Sequence, residues 1–141
     1  MNTYNRKIKG FTLLEVLIAM VVLSIGLLGL FGLQTTSLKF NHSSYQRTQA
    51  TNLAYSLLDR ARVNRSIALS TTAYNLPVGS VPPSATDCNS NVCDPNGLAA
   101  HDLFEWYTSV TNTLPEAQAG VAISDLPGGA RLYVITISWP D

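Results

Sequence analysis

Charged residues are scarce in this sequence and are placed unevenly along it. Only 13% of the 141 residues are Asp, Glu, Lys or Arg, and none occurs between Glu15 and Lys39. Removing residues 1–10 leaves six basic side chains against nine acidic ones. Strong nucleic-acid binding needs a dense basic surface that displaces counterions. The chain after residue 10 is mildly acidic, so we predict no nucleic-acid partner.

The sequence also lacks the motifs that carry catalysis. It contains no G-x-S-x-G, no G-x-G-x-x-G, no G-x-x-x-x-G-K-[ST] and no H-E-x-x-H pattern. Its two histidines, His42 and His101, lie far apart. Asp102 and Glu105 lie early in a predicted helix, where acids usually interact with the helix dipole. We therefore predict that the protein is not an enzyme and uses no cofactor.

One long apolar segment occupies residues 11–33, interrupted by Thr12, Glu15 and Ser24. At about 1.5 Å per residue, a helix of this length spans the roughly 30 Å of a bilayer core. Basic residues flank only its N-terminal end, so the positive-inside rule keeps that end cytoplasmic and exports the C-terminal part. A secretory signal peptide fits less well, because the segment is too long and no A-x-A cleavage site follows it.

The helical pattern continues beyond residue 33, with no Pro or Gly between Gly32 and Pro77. Its apolar residues recur every three or four positions and form one stripe: Ala50, Leu53, Ala54, Leu57 and Ala61. Arginines in the last turns, including Arg60, suit the negative end of the helix dipole and predict a solvated face. We expect one helix from about Phe11 to near Ile67.

The C-terminal half predicts a small α+β head. Residues 97–114 have a helical pattern that Pro115 ends. Residues 121–124 and 131–139 are β-branched runs around a Pro-Gly-Gly turn, which is typical of a hairpin. We expect the helix stripe to pack against this hairpin. The chain then has four parts: a leader (1–10), a membrane and assembly helix (11–33), a head-packed continuation of that helix (34–69) and a periplasmic head (70–141).

Cys88 and Cys93 lie close together in the polar loop of the head. An even cysteine count in a small exported domain favours a disulfide. Two thiols and the distant His101 make a poor zinc set. Asp87-x-Asn89-x-Asn91 resembles the start of a calcium loop but lacks the Gly and Glu that such a loop needs. We predict a disulfide and no metal site, with zinc and calcium as weaker alternatives.

The segment Gly10-Phe11-Thr12-Leu13-Leu14-Glu15, after a basic leader and before an apolar run, resembles the processing signature of type IV prepilins. The resemblance implies that a prepilin peptidase cuts between Gly10 and Phe11 and methylates the new amine of Phe11. Independently, a carboxylate inside a membrane helix costs about 3 kcal/mol or more, so Glu15 suggests a function by itself. We expect it to pair with the Phe11 amine of a neighbouring subunit during assembly.

Four further segments are similar to PilV-type minor pilins, also called type IV pilus modification proteins: 25–34, 57–65, 102–106 and 134–139. This resemblance implies a type IV pilin-like α+β fold, with a long N-terminal helix against a small antiparallel sheet. It implies a minor pilin that joins and primes pilus assembly, first in the bacterial inner membrane and then in the pilus. Implied partners are the peptidase, other minor pilins, the major pilin and the inner-membrane assembly platform. A minor pseudopilin of a type II secretion system is the alternative, because it shares the Gly10–Leu17 sequence.

Gly26, Gly29 and Gly32 recur every three residues in the apolar helix. Small residues let neighbouring helices approach closely, so the three glycines are candidate packing positions. Each glycine also weakens a helix by up to about 1 kcal/mol relative to Ala. Many major pilins have Pro at the position that matches Gly32, so this sequence departs from their pattern. Close packing and local softening of the helix both remain open.

Overall fold

The computed structural model describes residues 10–140, so residues 1–9 of the predicted leader lie outside the described residues. The chain divides into a first unit up to His42 and a second unit from Ser43, the head. The helices and strands, in chain order, are α1 (Leu13–Val63), α2 (Arg65–Ser70), α3 (Pro95–Thr113), β1 (Gln118–Asp125) and β2 (Arg131–Ser138). This is the α+β arrangement with a long N-terminal helix that the sequence predicts.

The first unit contains the N-terminal part of α1. Thr12 precedes the helix, and its Oγ1 accepts a 3.3 Å hydrogen bond from the backbone N–H of Glu15. Such a cap satisfies one of the amides that a helix start leaves without a partner. The apolar segment has a mean hydropathy of 2.7 and no buried residue, so α1 is long and apolar enough to cross a membrane.

In the head, α1 contributes one face to the hydrophobic core. Leu57 is 1% exposed and Ala61 is 5% exposed, and both contact a core that α3 and β1 complete. The apolar stripe of α1 contacts α3 as well as the predicted hairpin. The indole Nε1 of Trp106 in α3 donates a 2.9 Å hydrogen bond to the carbonyl of Leu53. The expectation of a hairpin contact alone was therefore incomplete: α3 covers part of the same stripe.

The prediction of one helix to about Ile67 was wrong, because α1 ends at Val63 and α2 begins at Arg65. The residue between them, Asn64, has non-helical backbone angles of φ −91° and ψ 47° and is buried. Its side-chain Nδ2 donates a 2.7 Å hydrogen bond to the carbonyl of Pro95 at the start of α3. A contact between distant parts of the chain therefore accompanies the break between the two helices.

The helix and the hairpin of the C-terminal half are confirmed, with slightly different bounds. Asp94 caps α3 by accepting a 2.8 Å hydrogen bond from the N–H of Gly97, and Pro95 occupies the first helical turn, where it is tolerated. β1 and β2 pair in antiparallel register, with Val121 opposite Ile135. Between the strands Gly128 and Gly129 have φ of 84° and 77°, a conformation that glycine adopts without strain.

The two faces of β2 differ in burial. Tyr133, Ile135 and Ile137 pack partly buried against the core. Leu132 and Val134 point the other way and are 46% and 47% exposed. The face of the hairpin that carries Tyr133, Ile135 and Ile137 therefore covers the core that α1 and α3 contribute to.

Candidate assembly site

The predicted processing site lies at the accessible start of the chain that the structure describes. Gly10 and Phe11 precede α1, and Phe11 is 85% exposed. An added Cβ at Gly10 would meet no atom within 4 Å. Among residues 10–140, nothing therefore obstructs the approach of an enzyme to the peptide bond between these two residues.

Glu15 lies in the first turn of α1, where the positive end of the helix dipole favours a carboxylate. Phe11 and Glu15 line one shallow surface of the helix together with Val16, Ala19 and Met20. Among residues 10–140, no basic side chain forms an ion pair with this carboxylate. An acid with apolar neighbours and no counterion among the described residues is suited to bind a cation from another chain.

The three glycines of the apolar helix are all exposed, and α1 stays helical through them. An added Cβ at Gly26, Gly29 or Gly32 would meet no atom within 4 Å. In the part of the chain that the structure describes, the three glycines thus serve no internal contact. They leave a surface of low relief along α1 that a neighbouring helix can approach closely.

The polar loop is closed by a disulfide between Cys88 and Cys93, whose Cα atoms are 5.5 Å apart. Inside it, Asp87 accepts hydrogen bonds from the N–H of Asn89 (2.9 Å) and the hydroxyl of Ser90 (2.8 Å). These two bonds, that of Ser90 first, lower the pKa of the Asp87 carboxyl. The carboxylate that the calcium interpretation needs as a ligand is thus engaged in a turn, which is the arrangement the sequence favours.

No group of three or more His, Cys, Asp or Glu side chains gathers as a metal site within the part of the chain that the structure describes. His101 is buried and lies with its Nε2 at 3.5 Å from the side-chain Nδ2 of Asn89. This contact ties the disulfide loop to α3.

A buried polar cluster in the head was not expected from the sequence. It consists of Asp102, Tyr74, Arg60 and Asn64. Asp102 is 6% exposed, accepts a 2.7 Å hydrogen bond from the Tyr74 hydroxyl, and forms a 3.3 Å ion pair with Arg60. Burial, followed by the hydrogen bond to Asp102, raises the pKa of Tyr74.

Two predicted roles are corrected by this cluster. Asp102 is not a helix-start acid, because α3 begins at Pro95 and places it two turns inside. Arg60 is not simply a solvated helix-end charge, because it pairs with Asp102. The helical spacing was the signal that could have predicted the burial of Asp102. It lies on the same α3 face as Ala99 and Trp106, which are both in the core.

Comparison with known families places the two units in one class. The prokaryotic N-terminal methylation motif matches residues 5–31, and the type IV pilin Tt1218 family matches residues 32–104, just over half of the chain. The chain belongs to the type IV pilin Tt1218 family. The type IV pilin-like prepilin that the sequence suggests is thereby confirmed. No curated protein and no solved structure matches this pilin.

The two matches meet between residues 31 and 32, within α1. The methylation motif includes Gly10, Phe11 and Glu15. The pilin match covers the head-packed part of α1, the disulfide loop and the start of α3, and it ends before the hairpin. Type IV pilins are structural subunits, and the apolar helix fits a membrane-anchored member of that class.

Proposed function

We propose that this pilin is a minor subunit of a type IV pilus, which joins and primes the filament after leader removal and methylation of Phe11. The observation that carries the proposal is Glu15 in the first turn of an exposed apolar helix, four residues after Phe11 and inside the methylation motif. The partners we propose are the prepilin peptidase, other minor pilins, the major pilin and the inner-membrane assembly platform.

The physical step in assembly is the neutralisation of Glu15. Cleavage after Gly10 creates a cationic amine on Phe11, at the level in the membrane where the carboxylate lies. In a bundle of identical helices, the amine of one subunit pairs with Glu15 of the next. An unpaired charge is costly in hydrocarbon. This pair therefore favours one axial stagger between neighbouring subunits and stabilises a subunit that inserts into the filament. The exposed glycines allow the helices to approach closely.

The choice of a PilV-type minor pilin rests on the segments that resemble this class. Two of them, residues 57–65 and 102–106, contain Leu57, Asn64, Asp102 and Trp106, which build the core and the polar cluster of the head. The resemblance therefore concerns residues that shape the head. A minor pseudopilin of a type II secretion system uses the same helix chemistry and is the second candidate.

The test is Glu15→Gln in a piliated bacterium, since it removes the charge and keeps the shape. Membrane insertion and cleavage should persist, while the amount in sheared pili should fall about tenfold or more, which corresponds to roughly 1.4 kcal/mol. Immunoblots of membrane and pilus fractions measure both. Glu116→Gln, at an exposed head position, is the matched control. Undiminished incorporation contradicts the role of Glu15, and loss of secretion without loss of pili favours the pseudopilin.

A further inference from the structure

One edge of strand β2 has no partner strand among residues 10–140, because the sheet contains only β1 and β2. The direction of its backbone groups follows from β1. Val121 exchanges both of its hydrogen bonds with Leu76, at 2.7 and 2.9 Å, on the far side of β1. Ile135, opposite Val121, is therefore in a non-hydrogen-bonded pair. Its N–H and C=O point to the free edge of β2, as do those of Tyr133 and Ile137.

The space beside this edge is open rather than filled. Along the seam between α1 and β2 lie cavities of 610 Å³, next to Leu58 and Tyr133, and 300 Å³, next to Ala54, Ile135 and Ile137. Ala54 and Leu58 are only half-buried. The apolar surface of α1 thus extends past the last strand of the sheet, where a further strand would cover it.

The seam is also the basic part of an acidic head. Residues 43–140 contain five arginines against seven acids. Arg62, Arg65 and Arg131 line the seam at its Tyr133 end, and Arg47 lines it at its Ile137 end. The fifth arginine, Arg60, is paired with Asp102. Asp59 and Asp125 pair with Arg62 and Arg131, which leaves the Tyr133 end with net positive charge.

We infer that the free edge of β2 is a docking site for a β-strand of a different protein, with apolar residues at alternate positions and a carboxylate at the end that lies beside Tyr133. The backbone of this strand forms hydrogen bonds with the backbone N–H and C=O groups of Tyr133, Ile135 and Ile137. Its apolar side chains cover Ala54 and Leu58, and its carboxylate meets the arginines at the Tyr133 end. A second copy of this chain is disfavoured, because its own β2, Arg131–Ser138, contains no acidic residue that could meet these arginines.

This inference goes beyond the proposed function, since it concerns the head and not the N-terminal helix. The two can fail independently: Glu15→Gln tests assembly in the membrane, and strand binding is measured on the purified full chain.

The probe is a synthetic peptide of about nine residues in which valine alternates with threonine and each end carries aspartate. It is added to the full chain in detergent, and amide hydrogen exchange is followed residue by residue. Without peptide, the amides of Tyr133, Ile135 and Ile137 should exchange faster than those of Val134 and Thr136. The peptide should slow the first three by about tenfold or more. A peptide with N-methylated backbone should not slow them, because it cannot pair with the strand.

Charge is tested with a lysine-ended peptide and with Arg65→Glu. Both changes should weaken binding about tenfold or more, whereas Lys39→Glu, in the first unit, should not. Three outcomes overturn the inference. The first is no protection of the three amides at millimolar peptide. The second is protection that grows with protein concentration alone, which indicates a second copy. The third is protection by a single-stranded oligonucleotide and not by the acidic peptide, which indicates a nucleic-acid surface.

Discussion

The hydroxyl of Tyr74 donates a 2.7 Å hydrogen bond to Oδ2 of Asp102 inside the head. Tyr74 is 0% exposed and Asp102 is 6% exposed. The amide of Asn64 donates to the Tyr74 oxygen at 3.3 Å, and Arg60 donates to the other carboxylate oxygen of Asp102 at 3.3 Å. A buried carboxylate is tolerated only with such partners. The bond therefore joins the segment after α2 to the middle of α3.

Tyr74→Phe should destabilise the head by about 1–3 kcal/mol, because it removes a donor from a buried carboxylate and keeps the aromatic ring. Tyr55→Phe is the matched control, since Tyr55 lies on α1 with 59% of its surface exposed. Urea denaturation of the full chain in detergent measures the free energy of unfolding of both variants. Equal values for the two would show that the hydrogen bond to Asp102 is not stabilising.

The raised pKa of Tyr74 predicts a stability that depends on alkaline pH. Burial and the bond to Asp102 keep the phenol protonated in the folded state, while an unfolded tyrosine loses its proton near pH 10. The contribution is fully present below about pH 10 and is lost as pH rises above it. Burial raises the pKa of Tyr133 too, so it acts in the same direction.

Urea denaturation at pH values from about 8 to 11 should therefore show a free energy of unfolding that falls above about pH 10. Tyr74→Phe should make this fall shallower, with the remainder due in part to Tyr133. An identical fall in the variant would contradict the assignment to Tyr74.

Local patterns in the sequence were enough to predict α3 and the hairpin. The period of the apolar residues, Pro115 and the Pro-Gly-Gly turn are all signals within a few residues of the elements they bound. The end of α1 was missed because its cause is not local. Asn64 bonds the carbonyl of Pro95, which is 31 residues away in sequence. Asp102 was misread for the same reason, since Tyr74 and Arg60 are 28 and 42 residues away.

The proposed assembly residues were predicted in another way. Gly10, Phe11 and Glu15 make few contacts within the chain, so neither packing nor burial marks them. Their signal is the motif itself, together with the cost of an acid in an apolar helix. Residues that we propose to act between subunits can therefore be predicted from the sequence, even though burial and packing within one chain do not mark them.

The mature protein should begin at N-methyl-Phe11. The small Gly10 and the exposed Phe11 suit the cut, and the basic leader is removed with it. The intact mass of the membrane-derived protein should fall by the ten leader residues and rise by one methyl group. A strain without the prepilin peptidase is the control and should retain the full mass. Met1 retained in peptidase-positive cells would contradict the processing.

The Cys88–Cys93 disulfide should be present in the exported protein and should stabilise the head by about 2 kcal/mol, because it closes a short loop in the unfolded chain. Alkylation with and without reductant measures the free thiols. The double variant Cys88→Ser, Cys93→Ser should unfold at lower urea concentration, while Ser84→Ala, at an exposed position of the same polar loop, serves as the control. Two free thiols in the exported protein would refute the bond.

The last prediction concerns how much of α1 the head needs. A fragment that begins near Thr35 keeps the helix face of Ala50, Leu57 and Ala61, whereas one that begins at Arg62 loses it. At about 25 cal/mol per Å², covering such side chains contributes several kcal/mol, a large part of the stability of a small domain. The longer fragment should fold and the shorter one should not.

Thermal unfolding followed by circular dichroism compares the two fragments. Leu57→Ala in the longer fragment should lower its stability by about 2–5 kcal/mol, because it opens a cavity at a residue that is 1% exposed. Val63→Ala, on the same helix with 85% of its surface exposed, should change little. A cooperative transition in the shorter fragment would mean that α1 only tethers the head, and the packing of its stripe would then contribute little to the fold.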